Sequence, residues 1–187
     1  MPPVMPAALA PSSPNPWLRF DIWLFQRLGA GRGPRWLMAL AKAVARWSWL
    51  PLLALVVTVS AGEGGGVGGV LWALLVLMQA GLLQWIGKKL ARHWSAQRPF
   101  VLGLCANHLG HGGRAGFPSS HALVMGAVLG ALLPHTGSDA LLMAMVAVAM
   151  GTGWARVHTG THFPTDVLAG LAAGLVWGLL FGIALPG

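Results

Sequence analysis

Charged side chains are scarce in this chain of 187 residues, because Asp, Glu, Lys and Arg together make up only 9% of it. A typical soluble domain carries about 25% charged residues, so the composition excludes an ordinary soluble protein. Hydrophobic residues account for 56% of the chain, and ten residues are Trp. These values predict a single membrane domain, since the length leaves no room for a second one.

Cysteine is almost absent as well. Cys105 is the only one, which excludes an intramolecular disulfide. Acidic residues number four against twelve Lys and Arg, giving a formal net charge of +8. In a soluble protein this charge would suggest nucleic-acid binding, but here the basic residues lie at the ends of apolar runs, where lipid phosphates are simpler partners. We therefore expect membrane lipids as partners and no nucleic acid.

The N-terminal region divides into two parts. Residues 1–16 are rich in Pro, Ala and Ser and predict a flexible tail, without the basic and apolar regions of a signal peptide. From Trp17 to about Gly29, apolar and charged residues alternate as in an amphipathic helix that lies in the membrane interface. The expected organisation is a tail followed by one membrane-embedded domain, residues 17–187.

Long apolar runs fill the rest of the chain. A helix that crosses the hydrocarbon layer needs about 20 apolar residues, and several segments approach this length. The expected fold is all-α, a polytopic membrane bundle of about five transmembrane helices plus the N-terminal interfacial helix. The predicted spans are residues 37–60, 67–87, 119–135, 139–155 and 165–184.

Polar groups gather at the ends of three of these apolar segments, and counting the spans places all three ends on one face of the membrane. Placing ionisable residues beside a bilayer costs free energy, so residues of this kind are usually kept for a function. Together these residues supply the cations, nucleophile, acid and orienting carboxylate that attack on a phosphate requires. The first cluster runs from Lys89 to Arg98-Pro99, the second is Pro118-Ser119-Ser120-His121, and the third runs from Arg156 through His162 to Asp166.

The three clusters resemble the phosphate-site motifs of the type 2 phosphatidic acid phosphatase superfamily. The third cluster, Arg156-x5-His162-x3-Asp166, has the spacing of that family's third motif. Two positions depart from the family pattern: Ser120 stands where the second motif usually has Gly, and Ala155 where the third usually has Ser. The resemblance implies a membrane-bound phosphoric ester hydrolase.

The first cluster departs further. The family places six residues between its Lys and Arg-Pro, whereas eight residues separate Lys89 from Arg98. Lys88 and Arg92 are alternative cations. We predict Lys89, because a long and flexible lysine tolerates displacement better than a planar guanidinium does.

A phosphate ester is an anion whose transition state spreads charge over equatorial oxygens, which guanidinium groups bind well. Arg98 and Arg156 suit this role, together with Lys89. Ser119 and Ser120 stand at a predicted helix start, where free N–H groups and the helix dipole favour an anion. These five residues are the predicted phosphate-binding set.

His162 is the predicted nucleophile, which would form a phosphohistidine. Asp166, four residues on, is expected to hold its other ring nitrogen. His121 would protonate the leaving oxygen and later activate water. The Arg and Lys side chains can neutralise the charge of the phosphate, so no metal or other cofactor is expected.

The remaining polar residues carry weaker signals. His158 could line the site or cap a turn. Cys105, His108 and His111 could in principle hold zinc, but the loop of residues 100–117 lacks a paired Cys-x-x-Cys. We interpret this glycine-rich loop as the entrance to the site.

Small family members with an interfacial helix and about five spans resemble bacterial undecaprenyl pyrophosphate phosphatases. The resemblance favours undecaprenyl pyrophosphate as substrate, with phosphatidic acid or phosphatidylglycerol phosphate as the alternative. Two other hypotheses are a non-catalytic protein that binds anionic lipids, and an intramembrane serine hydrolase using Ser119 or Ser120. The oligomeric state is not indicated.

The expected location is the inner (plasma) membrane. The positive-inside bias would put the basic face in the cytoplasm, whereas similar bacterial phosphatases have periplasmic active sites. We expect the periplasmic orientation.

Overall fold

The computed structural model describes residues 15–63, 66–113 and 116–185. These residues form α-helices and no β-strand, which confirms the all-α prediction. Most of the predicted tail, residues 1–14, lies outside the described residues. The helices are α1 (Pro16–Arg27), α2 (Arg35–Trp47), α3 (Trp49–Gly62), α4 (Gly66–Trp94), α5 (Ser120–Leu132, continued by a 3₁₀ turn at Leu133–His135), α6 (Asp139–His158) and α7 (Pro164–Ala184).

The long apolar helices lie where spans were predicted, although among the described residues three or four, rather than about five, are long enough to cross a membrane. Three helices, α4, α6 and α7, are long and apolar enough to cross a membrane, and α5 with its 3₁₀ turn is a shorter apolar segment. The fourth candidate span is the pair α2 and α3, if the two count as one. The polytopic membrane fold is therefore confirmed.

The first predicted span, residues 37–60, is broken rather than continuous. Helices α2 and α3 meet at Ser48 with a bend of 45°. Pro51 explains the break, because its nitrogen has no hydrogen to donate to the carbonyl of Trp47 and its ring crowds that carbonyl. The charged residues of this region, Lys42 and Arg46, both lie in α2, before the bend.

Helix α4 is longer than predicted. It was expected to end near residue 87, but it continues for two more turns to Trp94. Lys88 and Lys89 consequently lie on a helix, where neighbouring side chains differ in direction by about 100°. This difference decides which of them faces the candidate site.

Helices α5 and α7 pack backbone against backbone. A Cβ atom on Gly174 would lie 2.1 Å from the carbonyl oxygen of Leu123, and one on Gly126 would lie 2.3 Å from that of Leu171. Small residues permit this approach in membrane helices, where close van der Waals contact drives association. The contact brings the first residues of both helices together, and the backbone N–H of Ser119 donates to the carbonyl of Asp166 at 3.0 Å.

Helix α1 has the predicted amphipathic character. Its Trp17, Phe20 and Trp23 are exposed, whereas Ile22 and Phe25 are buried. The Phe25 ring meets Phe163 edge to face, with centroids 5.9 Å apart. Helix α1 therefore packs on the segment that leads into α7.

We predict that Gly174→Ala destabilises the protein, because the added methyl group would force α5 and α7 apart. Gly81→Ala in α4 is the matched control, since nothing lies within 4 Å of a Cβ atom there. Alanine is the better helix former by about 1 kcal/mol, so the control should be neutral or stabilising. Thermal unfolding in detergent tests this, and equal melting temperatures for both variants would contradict the packing.

Candidate active site

Residues from all three predicted clusters surround one cavity of about 230 Å³, at the end of the bundle where α5 begins and α6 ends. Four cations line this cavity, and the histidine at the start of α5 faces it. A cavity with this lining suits an anion. The lining residues are Lys88, Ala91, Arg92, Arg98, His111, Pro118, Ser120, His121 and Arg156.

The two arginines converge on His162. Nη1 of Arg98 and Nη2 of Arg156 each lie 3.4 Å from Nε2 of His162. Burial lowers the pKa of Arg98, and the carboxylate of Asp166 opposes this shift. Two guanidinium groups this close repel each other, so a phosphate bound between them would relieve the repulsion.

The turn after α6 holds both arginines in place. The hydroxyl of Thr161 donates to the carbonyl of Arg156 at 2.8 Å, and Nη1 of Arg98 donates to the carbonyl of Thr161 at 2.9 Å. Gly160 has φ of +70°, and a Cβ atom there would lie 2.1 Å from Sγ of Cys105. Glycine is therefore required in this turn. Nothing in the sequence singles out Thr161, because a threonine in a turn carries no specific signal.

The ring of His162 has a defined tautomer. Its Nδ1 lies 2.8 Å from the carbonyl oxygen of Gly116, which can only accept, so Nδ1 carries the hydrogen. Nε2 is then left with a lone pair, and it faces Arg98 and Arg156. Burial, followed by Arg156 and Arg98, holds the pKa of His162 well below its usual range. The ring is therefore neutral at physiological pH.

Asp166 does not make the expected hydrogen bond to His162. Its Oδ2 lies 3.7 Å from Nδ1 of His162 and accepts instead from the backbone N–H of Phe163 at 2.7 Å. The carbonyl of Gly116 accepts from Nδ1 of His162 instead. A backbone carbonyl is present in every residue, so the sequence could not identify this partner. The carboxylate stays close enough to stabilise a positive charge on the ring.

The second cluster forms the start of α5. Ser119 is fully buried, and its hydroxyl caps the helix by accepting from the N–H of Ala122 at 3.5 Å. Ser120 and His121 line the cavity, so the helix N-terminus faces it. Its dipole favours an anion. The contribution of Ser119 is therefore the cap rather than a wall of the cavity.

Lys89 does not line the cavity. Its Nζ lies 3.8 Å from the ring centroid of Trp85, on the same helix. Lys88 and Arg92, one turn apart on α4, line the cavity in its place. The first cluster thus contributes a different cation from the one expected, because α4 extends past the predicted end.

His111 lies in the predicted entrance loop, and its side chain lines the cavity itself. Its Nε2 lies 3.1 Å from Nη2 of Arg156. Asn107 fixes this loop, since its side chain bonds the backbone carbonyl and N–H of His111 at 2.9 and 3.1 Å. Burial, then Arg156 and Arg98, lowers the pKa of His111. The entrance loop therefore forms part of the cavity wall.

Two weaker expectations have a clear outcome. His158 neither lines the cavity nor caps a turn with its side chain, because its ring stacks on Trp154 with centroids 5.3 Å apart. Within the described ranges, no three side chains of His, Cys, Asp or Glu are placed to hold a metal ion. The set of Cys105, His108 and His111 is thus not assembled as a metal site.

Known bacterial phosphatases resemble parts of this chain. A putative undecaprenyl-diphosphatase, YbjG, of Escherichia coli (strain K12) is 38% identical over 78 residues, covering 41% of this chain and 38% of that protein. Lipid A 1-phosphatase of Rhizobium etli is 39% identical over 66 residues, covering 34% of this chain and 26% of that protein. The matches span well under half the length of these relatives.

Two solved structures share the fold over most of the chain. A transmembrane PAP2-type phosphatidylglycerolphosphate phosphatase from Bacillus subtilis superposes with a TM-score of 0.63 and 25% identity, covering 93% of this chain and 87% of that one. LpxE from Aquifex aeolicus superposes with a TM-score of 0.66 and 18% identity, covering 89% of this chain and 96% of that one.

The sequence model of the PAP2 superfamily, the family of type 2 phosphatidic acid phosphatases, matches residues 69–185. This range contains all three clusters and every residue that lines the cavity. It also covers more than half of the 187 residues. The chain belongs to the PAP2 superfamily.

Proposed function

We propose that this protein is a membrane-bound lipid phosphatase that uses His162 as its nucleophile. The observation that carries the proposal is the state of the ring: Nδ1 is bonded to the Gly116 carbonyl, and Nε2 faces two guanidinium groups at 3.4 Å. A phosphate held by those groups would have its phosphorus close to the lone pair. Positioning of this kind supplies much of the catalysis in phosphoryl transfer.

In the first step, Nε2 of His162 attacks phosphorus while the bond to the leaving oxygen breaks. Arg98 and Arg156 bind the equatorial oxygens, and the start of α5 adds N–H groups. His121, protonated once the bound anion offsets the neighbouring cations, gives its proton to the leaving oxygen. The product is a phosphohistidine whose positive ring is stabilised by Asp166, 3.7 Å away.

In the second step, water replaces the histidine on phosphorus. His121, now neutral, accepts a proton from the water as its oxygen attacks. The P–N bond breaks, and the electron pair returns to Nε2 of His162. Inorganic phosphate leaves with the enzyme restored. The chain's own cations neutralise the charge at each stage.

We favour undecaprenyl pyrophosphate as the substrate. Four cations line the cavity, namely Lys88, Arg92, Arg98 and Arg156, and a pyrophosphate carries more negative charge than a phosphomonoester. The name of the Escherichia coli relative supports this choice. Phosphatidylglycerol phosphate is the second candidate, supported by the name of the Bacillus subtilis structure. In either case we propose an inner-membrane protein with a periplasmic site.

His162→Ala should abolish phosphate release from a lipid pyrophosphate, because the variant lacks the attacking atom. Activity is measured in detergent as released inorganic phosphate. His93→Ala is the matched control, since His93 is exposed and does not line the cavity. Turnover by His162→Ala above about a tenth of wild type would exclude a histidine nucleophile here. It would then favour the alternative in which Ser119 or Ser120 is the nucleophile.

Lys88→Ala and Arg92→Ala should each reduce turnover by roughly tenfold or more, because each removes a cation from the cavity wall. Lys89→Ala is the control and should stay within about twofold of wild type, since its contact with Trp85 is an exposed one. The three variants are compared on the same lipid substrate. A crippled Lys89→Ala beside an active Lys88→Ala would refute the assignment.

Turnover should persist in EDTA, because arginines and a lysine supply the positive charge that a metal provides elsewhere. Vanadate should inhibit, since its five-coordinate form resembles the transition state. Both are measured on the purified protein with the lipid substrate. Activity that disappears on chelation and returns with zinc would contradict the proposed mechanism.

A further inference from the structure

A second buried carboxylate lies behind the catalytic segment. Asp21 belongs to α1, is only 8% exposed, and faces the first turn of α7. Its Oδ1 accepts from the backbone N–H of Thr165 at 3.2 Å, and its Oδ2 accepts from the hydroxyl of Thr165. These partners are 144 positions apart in the sequence. Burying a carboxylate is costly, so the contact needs a reason.

The capping position of α7 offers no side-chain acceptor, and Asp166 in the first turn reaches back only to the N–H of Phe163. The residue at the capping position is Phe163, whose side chain cannot accept a hydrogen bond, and Pro164 follows it. The next N–H group without a partner inside the helix is that of Thr165, and it donates to Asp21. Asp21 thus does from a distant helix what a local Ser or Asp usually does at a helix start.

This cap lies directly beside the proposed nucleophile. Asp166, the next residue after Thr165, binds the N–H of Phe163 and lies 3.7 Å from His162. Helix α1 also packs against the same segment through the contact between Phe25 and Phe163. A shift of Thr165 would therefore move both Asp166 and the backbone that carries His162.

We propose that Asp21 is a positioning residue for catalysis: by capping α7 from the interfacial helix α1, it fixes the segment that carries His162 and Asp166. The inference rests on the proposed function of His162. If Asp21 has this role, the packing of α1 against α7 is required for turnover and not for substrate binding. The phosphate-binding cations belong to other elements, namely α4, the loop that follows it, and α6.

The test compares Asp21→Ala with Asp21→Asn, which keeps one oxygen to accept from the Thr165 N–H. Asp21→Ala should lower kcat by roughly tenfold, because small displacements of reacting groups are costly. KM and the inhibition constant for inorganic phosphate, which reports ground-state binding by the cations, should stay near wild type. Asp21→Asn should recover most of kcat. Arg19→Ala, on the exposed side of the same helix, is the control and should leave kcat unchanged.

Thr165→Val and Thr165→Ser provide a second pair, which decides the question if Asp21→Ala does not fold. Valine removes the hydroxyl and should lower kcat, whereas serine should retain it. The double variant Asp21→Asn with Thr165→Val should lose no more than the worse single variant, because both act through one contact.

The outcomes separate the two proposals. No lipid phosphatase activity in the wild type would refute the proposed function itself. An active wild type with kcat unchanged in Asp21→Ala and Thr165→Val would refute only the role of Asp21. A loss of kcat matched by equal losses in phosphate affinity and melting temperature would also refute it, since that pattern indicates general destabilisation.

Discussion

The close approach of α5 and α7 is the constraint on which the site depends. Glycines on both helices let the backbones touch, so that a Cβ atom on Gly174 would lie 2.1 Å from a carbonyl of α5. At the end of this contact the N–H of Ser119 meets the carbonyl of Asp166. Two clusters that are far apart in the sequence thereby share one cavity. The packed membrane helices hold the polar residues at their ends close together.

Positive charge exceeds negative charge in the cavity when no anion is bound. Arg98 and Arg156 converge on a neutral ring, while Lys88 and Arg92 face the same space. The carboxylate of Asp166 is engaged by a backbone N–H. In the proposed mechanism, a bound phosphate would complete the charge balance in the ground state. If the ring becomes positive during attack, as proposed, the same carboxylate would stabilise the transition state more than the ground state.

Much of the architecture could be predicted from apolar runs, and the polar clusters at their ends indicated the cavity. What the sequence left open depended on tertiary contacts. The partner of Nδ1 in His162 is a backbone carbonyl of Gly116, which no residue type specifies. The choice between Lys88 and Lys89 depended on where α4 ends. Pro51 does indicate a helix break near Ser48, but the apolar residues continue on both sides of it, as they would in one span.

The most direct test of the account is to identify the phosphorylated residue. The purified protein would be mixed with a lipid pyrophosphate labelled on its terminal phosphate, quenched in alkali, where phosphoramidates persist, and analysed by mass spectrometry of its peptides. The account predicts a transient phosphate on His162 that forms and decays at rates consistent with turnover. Label on His121 or Ser120 instead, or turnover with no labelled intermediate on a rapid-quench time course, would contradict it.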